Sequence, residues 1–364
     1  MRFESATIES LTAEELSVPL WDPFVIATGR VDATRSVLIK VGLRRGARLE
    51  KGLGEASCLP PVTKEDQPDA LNAARDAKLT GKSFGDWTEL HALLDATLEN
   101  FPVARSGVEM AILDALARLE DVPLFTLLSG VTSPKVIETD ITLPILPPAR
   151  MAELAVEWWS KGFRSFKVKV GRALSEDLAA LEAIEKAVPG AAIRADANCG
   201  YSADTALQFL RELGRFHLKL ECFEQPCGVE DLQGLARVAA ATDIPVIADE
   251  SVKFVDQLED VLAQRAADGV NLKVAKSGGL LRAYDVGRAA KDAGMLLMVG
   301  GMVETRLGMT AATHLAAALG DVEFPDLDTA WLLKTDPFVG GYQEDGPRYT
   351  LGRSPGLGVD HPGR

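Results

Sequence analysis

"RSFKVKVG", residues 164–171, sets two lysines two positions apart in a strand-like run. Side chains alternate faces along a strand, so Lys167 and Lys169 share one face while Phe166, Val168 and Val170 take the other. A paired cation on one face of a strand calls for something anionic opposite it.

The surrounding sequence supplies the frame. From about residue 136, short β-branched runs alternate with helical patterns: "KVIETDITLPI", the helical "MAELAVEWWSKG", "RSFKVKVG", and the helical "EDLAALEAIEKAV". The beat continues through "AAIRADAN", "LKLECFEQP", "IPVIADES", "GVNLKVAKSGG" and "GMLLMVGGM", each followed by a segment of helical character. Strands alternating with helices predict βα units on a parallel sheet.

The interval points to a closed sheet. Lys169 to Asp196 is 27 residues, Asp196 to Glu224 is 28, Glu224 to Asp249 is 25 and Asp249 to Lys273 is 24. Lys273 to Asp326 is 53, about two further units. A steady period with a charged residue at each strand end predicts a (β/α) barrel of the α/β class. An open doubly wound sheet normally shows a glycine-rich phosphate loop after its first strand, and "KVGRALS" is a poor match to one.

Residues 1–130 read as an α+β domain ahead of the barrel. "SATIESLTAEELSVPL" and "TRSVLIKVGLRRGARLEKGLGEAS" have the character of antiparallel strands, and "PDALNAARDAKLTG", "TELHALLDATLENF" and "ARSGVEMAILDALARLE" that of helices. The barrel is expected over 131–330, and the Gly- and Pro-rich 331–364 is expected to pack back on the first domain.

Composition narrows the class. The chain has 364 residues, nearly half of them hydrophobic, and a net charge of −14, which argues against nucleic acid or an anionic membrane as partner. No run approaches a membrane span and the first residues lack an apolar signal core, so the expected location is the cytoplasm. Cys58, Cys199, Cys222 and Cys227 match neither a zinc nor a redox spacing and read as reduced thiols.

In a βα barrel the C-terminal strand ends converge on one mouth. Asp196 in "RADAN", Glu224 in "CFEQP" and Asp249 in "IADES" then meet, and three close acids need a cation; an all-oxygen donor set suits Mg²⁺. Lys167 and Lys169 flank them on one side, Lys273 and Lys276 on the other.

The order Lys-x-Lys, Asp-x-Asn, Glu, Asp-Glu-Ser, then "NLKVAKSGG", resembles the muconate lactonising subgroup of the enolase superfamily over nearly the full chain, the mixed N-terminal capping domain included. The resemblance implies Asp196, Glu224 and Asp249 as Mg²⁺ ligands and Lys169 and Lys273 as the acid/base pair. Physical chemistry agrees. A proton α to a carboxylate leaves only when positive charge stabilises the enediolate and a base is poised on the right face. A lysine works as base when its pKa drops well below the free value of about 10.4, and a neighbouring cation helps to lower it. Lys167 is that neighbour, and it is expected to reach the substrate carboxylate as well. Bases on opposite faces of one carbon suit racemisation or epimerisation, though dehydration or cycloisomerisation stays open.

"EFPDLD" narrows the substrate. Asp326 and Asp328 share a face at the expected eighth strand end, where two carboxylates attract a cationic group such as an α-ammonium. Within the resemblance, Asp-x-Asp here marks the dipeptide epimerases, so a small-molecule dipeptide is the expected partner, with L-Ala-D/L-Glu leading. Thr142, the backbone of Gly301 and Arg30 in "WDPFVIATGR" are further substrate-binding candidates; should Arg30 point elsewhere, Phe24 and Ile26 suggest an apolar second residue. Glu304 takes no assigned role. The family also implies a homo-oligomer and a place in cell-wall peptide turnover. Competing readings are a muconate-type cycloisomerase, an N-acylamino acid racemase or o-succinylbenzoate synthase, and a metal-dependent peptide-binding protein without turnover.

Overall fold

Eight short parallel strands follow one another in both sequence and space: Ile141–Leu143, Ser165–Lys169, Ala192–Asp196, Lys219–Glu224, Val246–Ala248, Gly269–Lys273, Leu296–Gly300 and Phe324–Pro325. They are called the first to eighth strands below. The structure is a computed structural model that describes residues 2–216 and 218–362. The Asp140 amide donates to the Pro325 carbonyl at 3.3 Å, which brings the first strand against the eighth and closes the curled sheet. Helices such as Pro148–Ser160, Leu174–Ala187 and Leu280–Asp292 fill the connections, as parallel pairing requires.

The alternation in "RSFKVKVG" is realised. Phe166, Val168 and Val170 are fully buried, while Lys167 and Lys169 face the barrel interior. Register fixes their neighbours: Lys169 pairs with Asp196 and Asp196 with Glu224, while one layer below, Thr142, Lys167 and Arg194 stand in line.

"KVIETDITLPI" forms two pieces instead of one strand. Ile137–Glu138 pairs outside the barrel with the C-terminal strand Arg348–Leu351, and only Ile141–Leu143 joins the barrel sheet. The chain turns inward between them, where Asp140 is held by Pro325 and by Arg194.

The preceding domain carries an antiparallel sheet in the order Arg48–Ser57, Ser36–Arg45, Arg2–Leu16, Ser83–Asp86. The helix Pro102–Leu119 lies directly on it. A Cβ at Gly52 would come within 2.0 Å of the Ala111 carbonyl oxygen and one at Gly54 within 2.0 Å of the Gly107 carbonyl oxygen, so glycine is what allows the approach. A separate hairpin, Pro19–Val25 with Arg30–Ala33, reaches the barrel mouth, where Ile145 donates to the Val25 carbonyl at 2.8 Å and Arg150 pairs with Asp22 at 2.9 Å.

Two buried carboxylates of this domain end on barrel backbone. Glu55 accepts from the amides of Thr305 and Gly308 and from the Thr305 hydroxyl, at the start of the helix Arg306–Leu319. Glu109 accepts from the Leu281 amide at 2.9 Å, at the start of Leu280–Asp292. Both satisfy N–H groups that a helix leaves without internal partners.

The C-terminal segment touches both domains. Gly356 accepts from the Leu124 amide, Val359 from Arg118, and the Lys334 amide donates to Pro19 in the hairpin. His314, fully buried on Arg306–Leu319, stacks on Phe125 and accepts that residue's amide at Nδ1. Among the described residues no helix is long and apolar enough to cross a membrane.

Candidate active site

Asp196, Glu224 and Asp249 are each answered by a lysine. Lys169 Nζ lies 2.5 Å from Asp196 Oδ2, and Lys273 Nζ lies 2.6 Å from Asp249 Oδ2. Lys276 sits on the one-turn helix Val274–Ser277 and donates at 2.6 Å to both the Asp249 carbonyl and Oδ1. Lys167 stands among three acids: 2.6 Å from Asp326, 2.7 Å from Glu224 Oε2 and 3.3 Å from Asp196.

The charges set the electrostatics. Burial works against the ammonium of Lys167, and Asp326, Glu224 and Asp196 outweigh it, so Lys167 titrates well above the ordinary lysine range. Lys273 is likewise raised, with Asp249 overcoming burial, whereas burial holds Lys276 below its ordinary range despite Asp249. Asp196 is drawn down to about 2 because Lys169 and Lys167 outweigh its burial. Glu224 is pushed up to about 8 by burial and by Asp196, and Glu250 to about 7 by burial and by Asp249. The sequence led us to expect Lys167 as a like-charge neighbour reaching for substrate; here its ammonium is bonded to Asp326 and faces Glu224 and Asp196.

Neutral amides complete the site; the sequence reading had Asn198 only as the Asn of Asp-x-Asn, and missed Asn271 and Gln225. Asn271, two residues before Lys273 and so on the same face, donates to Glu224 Oε1 at 2.7 Å. Gln225 accepts from the amides of Asp249 and Ser251 and donates to the Ser251 hydroxyl and the Cys227 carbonyl, tying the fourth strand end to the fifth. Asn198 donates to Glu250 at 3.1 Å. Asn198, Cys199 and Gln225 all have positive φ, the strained backbone that clusters at functional strand ends.

Two groups of acids are candidates for a cation. Among the described residues, Asp140, Asp326 and Asp328 are the acids whose carboxylate oxygens all come within 4.8 Å of one another. Arg194 holds Asp140 at 2.9 Å and Lys167 holds Asp326, so two buried cations already face this group. Asp196, Glu224 and Asp249 lie on adjacent strands at the mouth. Around them Glu224 Oε2, Glu250 Oε2 and Asn198 Oδ1 are buried without a hydrogen-bond partner, since the Lys167 contact to Glu224 lacks hydrogen-bond geometry. Hard oxygen donors with unspent acceptor capacity fit a divalent cation such as Mg²⁺.

Asp328 lies beside this network. Its Oδ2 accepts the Thr142 amide at 2.5 Å, its Oδ1 is buried without a partner, and burial with Asp326 nearby pushes it up to about 6. Thr142 thus orients Asp328 through its backbone. Gly301 is half-buried, and a Cβ there would lie 2.3 Å from Met309 Cε and 3.2 Å from Glu304 Oε1, so a side chain would crowd the seventh strand end. Glu304 is pushed up to about 8 by burial and by Glu55.

A cleft of about 670 Å³ opens beside Lys169, lined by the apolar Val25, Ile145 and Met151 and by the charged Arg30, Arg172 and Glu176. Arg30 is largely exposed and paired with Asp32 at 2.8 Å. Phe24 is buried, its ring centre 5.7 Å from Lys169 Nζ, and Ile26 is buried as well.

The chain is similar to known proteins over nearly its whole length. The Mandelate racemase / muconate lactonizing enzyme, N-terminal domain family matches residues 8–129, and the Enolase C-terminal domain-like family matches residues 150–362. The L-Ala-D/L-amino acid epimerase of Populus trichocarpa is 39% identical over 343 residues, spanning 92% of this chain and 80% of that protein. A substrate-liganded structure of the L-Ala-D/L-Glu epimerase from Bacillus subtilis superposes with a TM-score of 0.90 at 34% identity, covering 97% of this chain and 98% of that one. The dipeptide epimerase of Enterococcus faecalis V583, complexed with Mg and the dipeptide L-Leu-L-Tyr, gives a TM-score of 0.89 at 29% identity, covering 98% and 100%. Both halves of the chain, and nearly its whole length, therefore belong to the mandelate racemase/muconate lactonising enzyme family of the enolase superfamily.

Proposed function

We propose that this chain is a Mg²⁺-dependent dipeptide epimerase, an isomerase that moves the α-proton of a dipeptide's C-terminal residue from one face of the carbon to the other. The observation that carries the reading is the placement of Lys169 and Lys273 on the second and sixth strands, opposite sides of an eight-stranded ring, each bonded to a carboxylate of the same acidic floor.

Asp196, Glu224 and Asp249 are the residues to hold Mg²⁺; in the other group Asp140 is already paired with Arg194, which stays charged, and Asp326 with Lys167. When bound, the ion supplies positive charge where negative charge builds on the substrate carboxylate. Lys169 takes the α-proton from one face, and Lys273 returns a proton to the other. Asp328, with a buried open oxygen, and Asp326 beside it receive the ammonium of the first residue. That same open acid disfavours N-acylamino acids and dianionic muconates.

The second side chain enters the cleft beside Lys169. Its apolar lining suits an apolar stem and Arg30 suits a terminal carboxylate, which makes L-Ala-L-Glu the first dipeptide to try. The four cysteines are unpaired, in keeping with a reducing cytoplasm, where a homo-oligomer would act on cell-wall peptides.

Proton NMR of an L,L-dipeptide library with Mg²⁺ in D₂O tests the reading. Loss of the C-terminal α-proton signal with growth of the L,D epimer is expected. Exchange in no dipeptide, with turnover of an N-acylamino acid or a muconate instead, would overturn it.

A further inference from the structure

We propose that Arg105 and Glu109, on the capping-domain helix Pro102–Leu119, are positioning residues for Lys273 and not for Lys169, an inference that rests on the epimerase reading. Both side chains are completely buried, 2.9 Å apart, at a point where the capping domain meets the segment "KVAKSGG".

That segment is gripped from two sides. On the barrel side, Asp249 holds Lys273 through Oδ2 and Lys276 through Oδ1 and its carbonyl. On the capping side, Arg105 Nη1 donates to the Gly278 carbonyl and to Glu109 Oε2, and Glu109 Oε1 accepts the Leu281 amide at 2.9 Å. Between these ends the chain passes through Gly278 at φ +73° and Gly279 at φ +138°, conformations that suit glycine. A Cβ at Gly279 would come within 2.3 Å of Glu109 Oε1, so the carboxylate sits hard against the main chain.

Arg105 is itself fixed. Its Nε donates to Asp95 at 2.8 Å, and its Nη2 lies 2.9 Å from His91 Nδ1. A buried ion pair adds little net stability over well-packed apolar residues. What this one adds is direction, because Nη1 and Oε1 both end on main-chain groups within Gly278–Leu281, five to eight residues beyond Lys273. Among the described residues no buried ion pair of the capping domain ends on the main chain just beyond Lys169, which lies on the second strand beside Phe24 of the hairpin.

A two-base site makes this asymmetry measurable, since each epimer loses its α-proton to a different lysine. Exchange of the two purified epimers into D₂O is followed separately at early times in the Mg²⁺-loaded enzyme. Lys273→Ala first identifies the epimer whose proton Lys273 takes. In Glu109→Gln, exchange of that epimer is expected to fall at least about tenfold, while the other stays within about twofold, since small displacements of a reacting group are costly. Backbone amide exchange over residues 274–281 is expected to quicken in the same variant, with or without substrate. Arg105→Lys, which keeps the charge and loses the fork, repeats the test should Glu109→Gln fail to fold. Equal losses in both epimers, or no loss with unchanged amide exchange, overturn the positioning role. Absence of exchange from either epimer in the unmodified enzyme overturns the epimerase reading itself, and the positioning role with it.

Discussion

Lys167 and Asp326 join the second strand to the eighth across the first, Nζ to Oδ2 at 2.6 Å, with both side chains buried. Lys167 also answers Glu224 and Asp196, so removing it leaves buried negative charge uncompensated. Lys167→Met is expected to cost about 3–5 kcal/mol of stability in metal-free protein, as breaking a buried pair does. Urea denaturation measures it, and Mg²⁺ should restore more stability to the variant than to the unmodified chain. A loss below about 1 kcal/mol would mean that the acids are neutral and need no partner.

Asp328→Asn separates recognition from chemistry. With the open Oδ1 no longer ionic, KM for a free dipeptide should rise about 10- to 100-fold, the worth of a hydrogen bond to a charged group, with kcat less affected. Steady-state kinetics on a dipeptide and on its N-acetyl form checks this. The variant should discriminate less between the two, and an unchanged preference would assign Asp328 a purely structural place.

His314 gives the fold an acid limit far from the acids at the mouth. Burial lowers it from 6.5 to about 4. The folded state therefore binds fewer protons than the unfolded one within that window, so His314 contributes stability that is present above pH 6.5 and lost as pH falls toward 4. The loss approaches about 3 kcal/mol across the window. Denaturation midpoints of the unmodified chain and His314→Gln between pH 7 and pH 4 should converge as the pH drops; parallel curves would show that the imidazole is protonated in place.

Gly54→Ala tests the seat of the capping helix. Its Cβ would stand 2.0 Å from the Gly107 carbonyl oxygen and 2.8 Å from the Ala111 nitrogen, backbone atoms that a rotamer change cannot clear. Helix and sheet must part, at a cost of about 1–3 kcal/mol or more. Gly352→Ala, where nothing lies within 4 Å of the added carbon and the backbone is not left-handed, is the control for an exposed glycine. Equal thermal shifts in the two would refute close packing as the reason for Gly54.

Much of this site was legible because it follows period and spacing. The two-residue interval of Lys167 and Lys169, and the intervals to Asp196, Glu224 and Asp249, depend only on strand alternation and βα length. Asn271 was within reach by the same alternation, two before Lys273, yet an uncharged amide gives no electrostatic cue. Gln225 carried no signal, since its partners Asp249 and Ser251 lie a whole βα unit away and meet it only when the sheet curls. The partner of Lys167 was hidden for the same reason, because Asp326 is 159 positions distant. Glu55 and Glu109 read as ordinary polar positions of a strand and a helix; that both are buried is decided by the other domain.

The atoms that Glu55 and Glu109 hold on the barrel are chiefly amide hydrogens, and Arg105 holds a carbonyl. Every residue but proline carries the former and every residue the latter, so the bond at 281 does not depend on which side chain that position carries, whereas at 308 an added Cβ would stand 2.2 Å from Glu304 Oε2 and glycine is held in place. Most of the burden of keeping the joint falls on the capping side, with the Thr305 hydroxyl and Gly308 as the barrel's share. The hairpin and its cleft can therefore change the side chains they present without touching the hydrogen bonds of this seam.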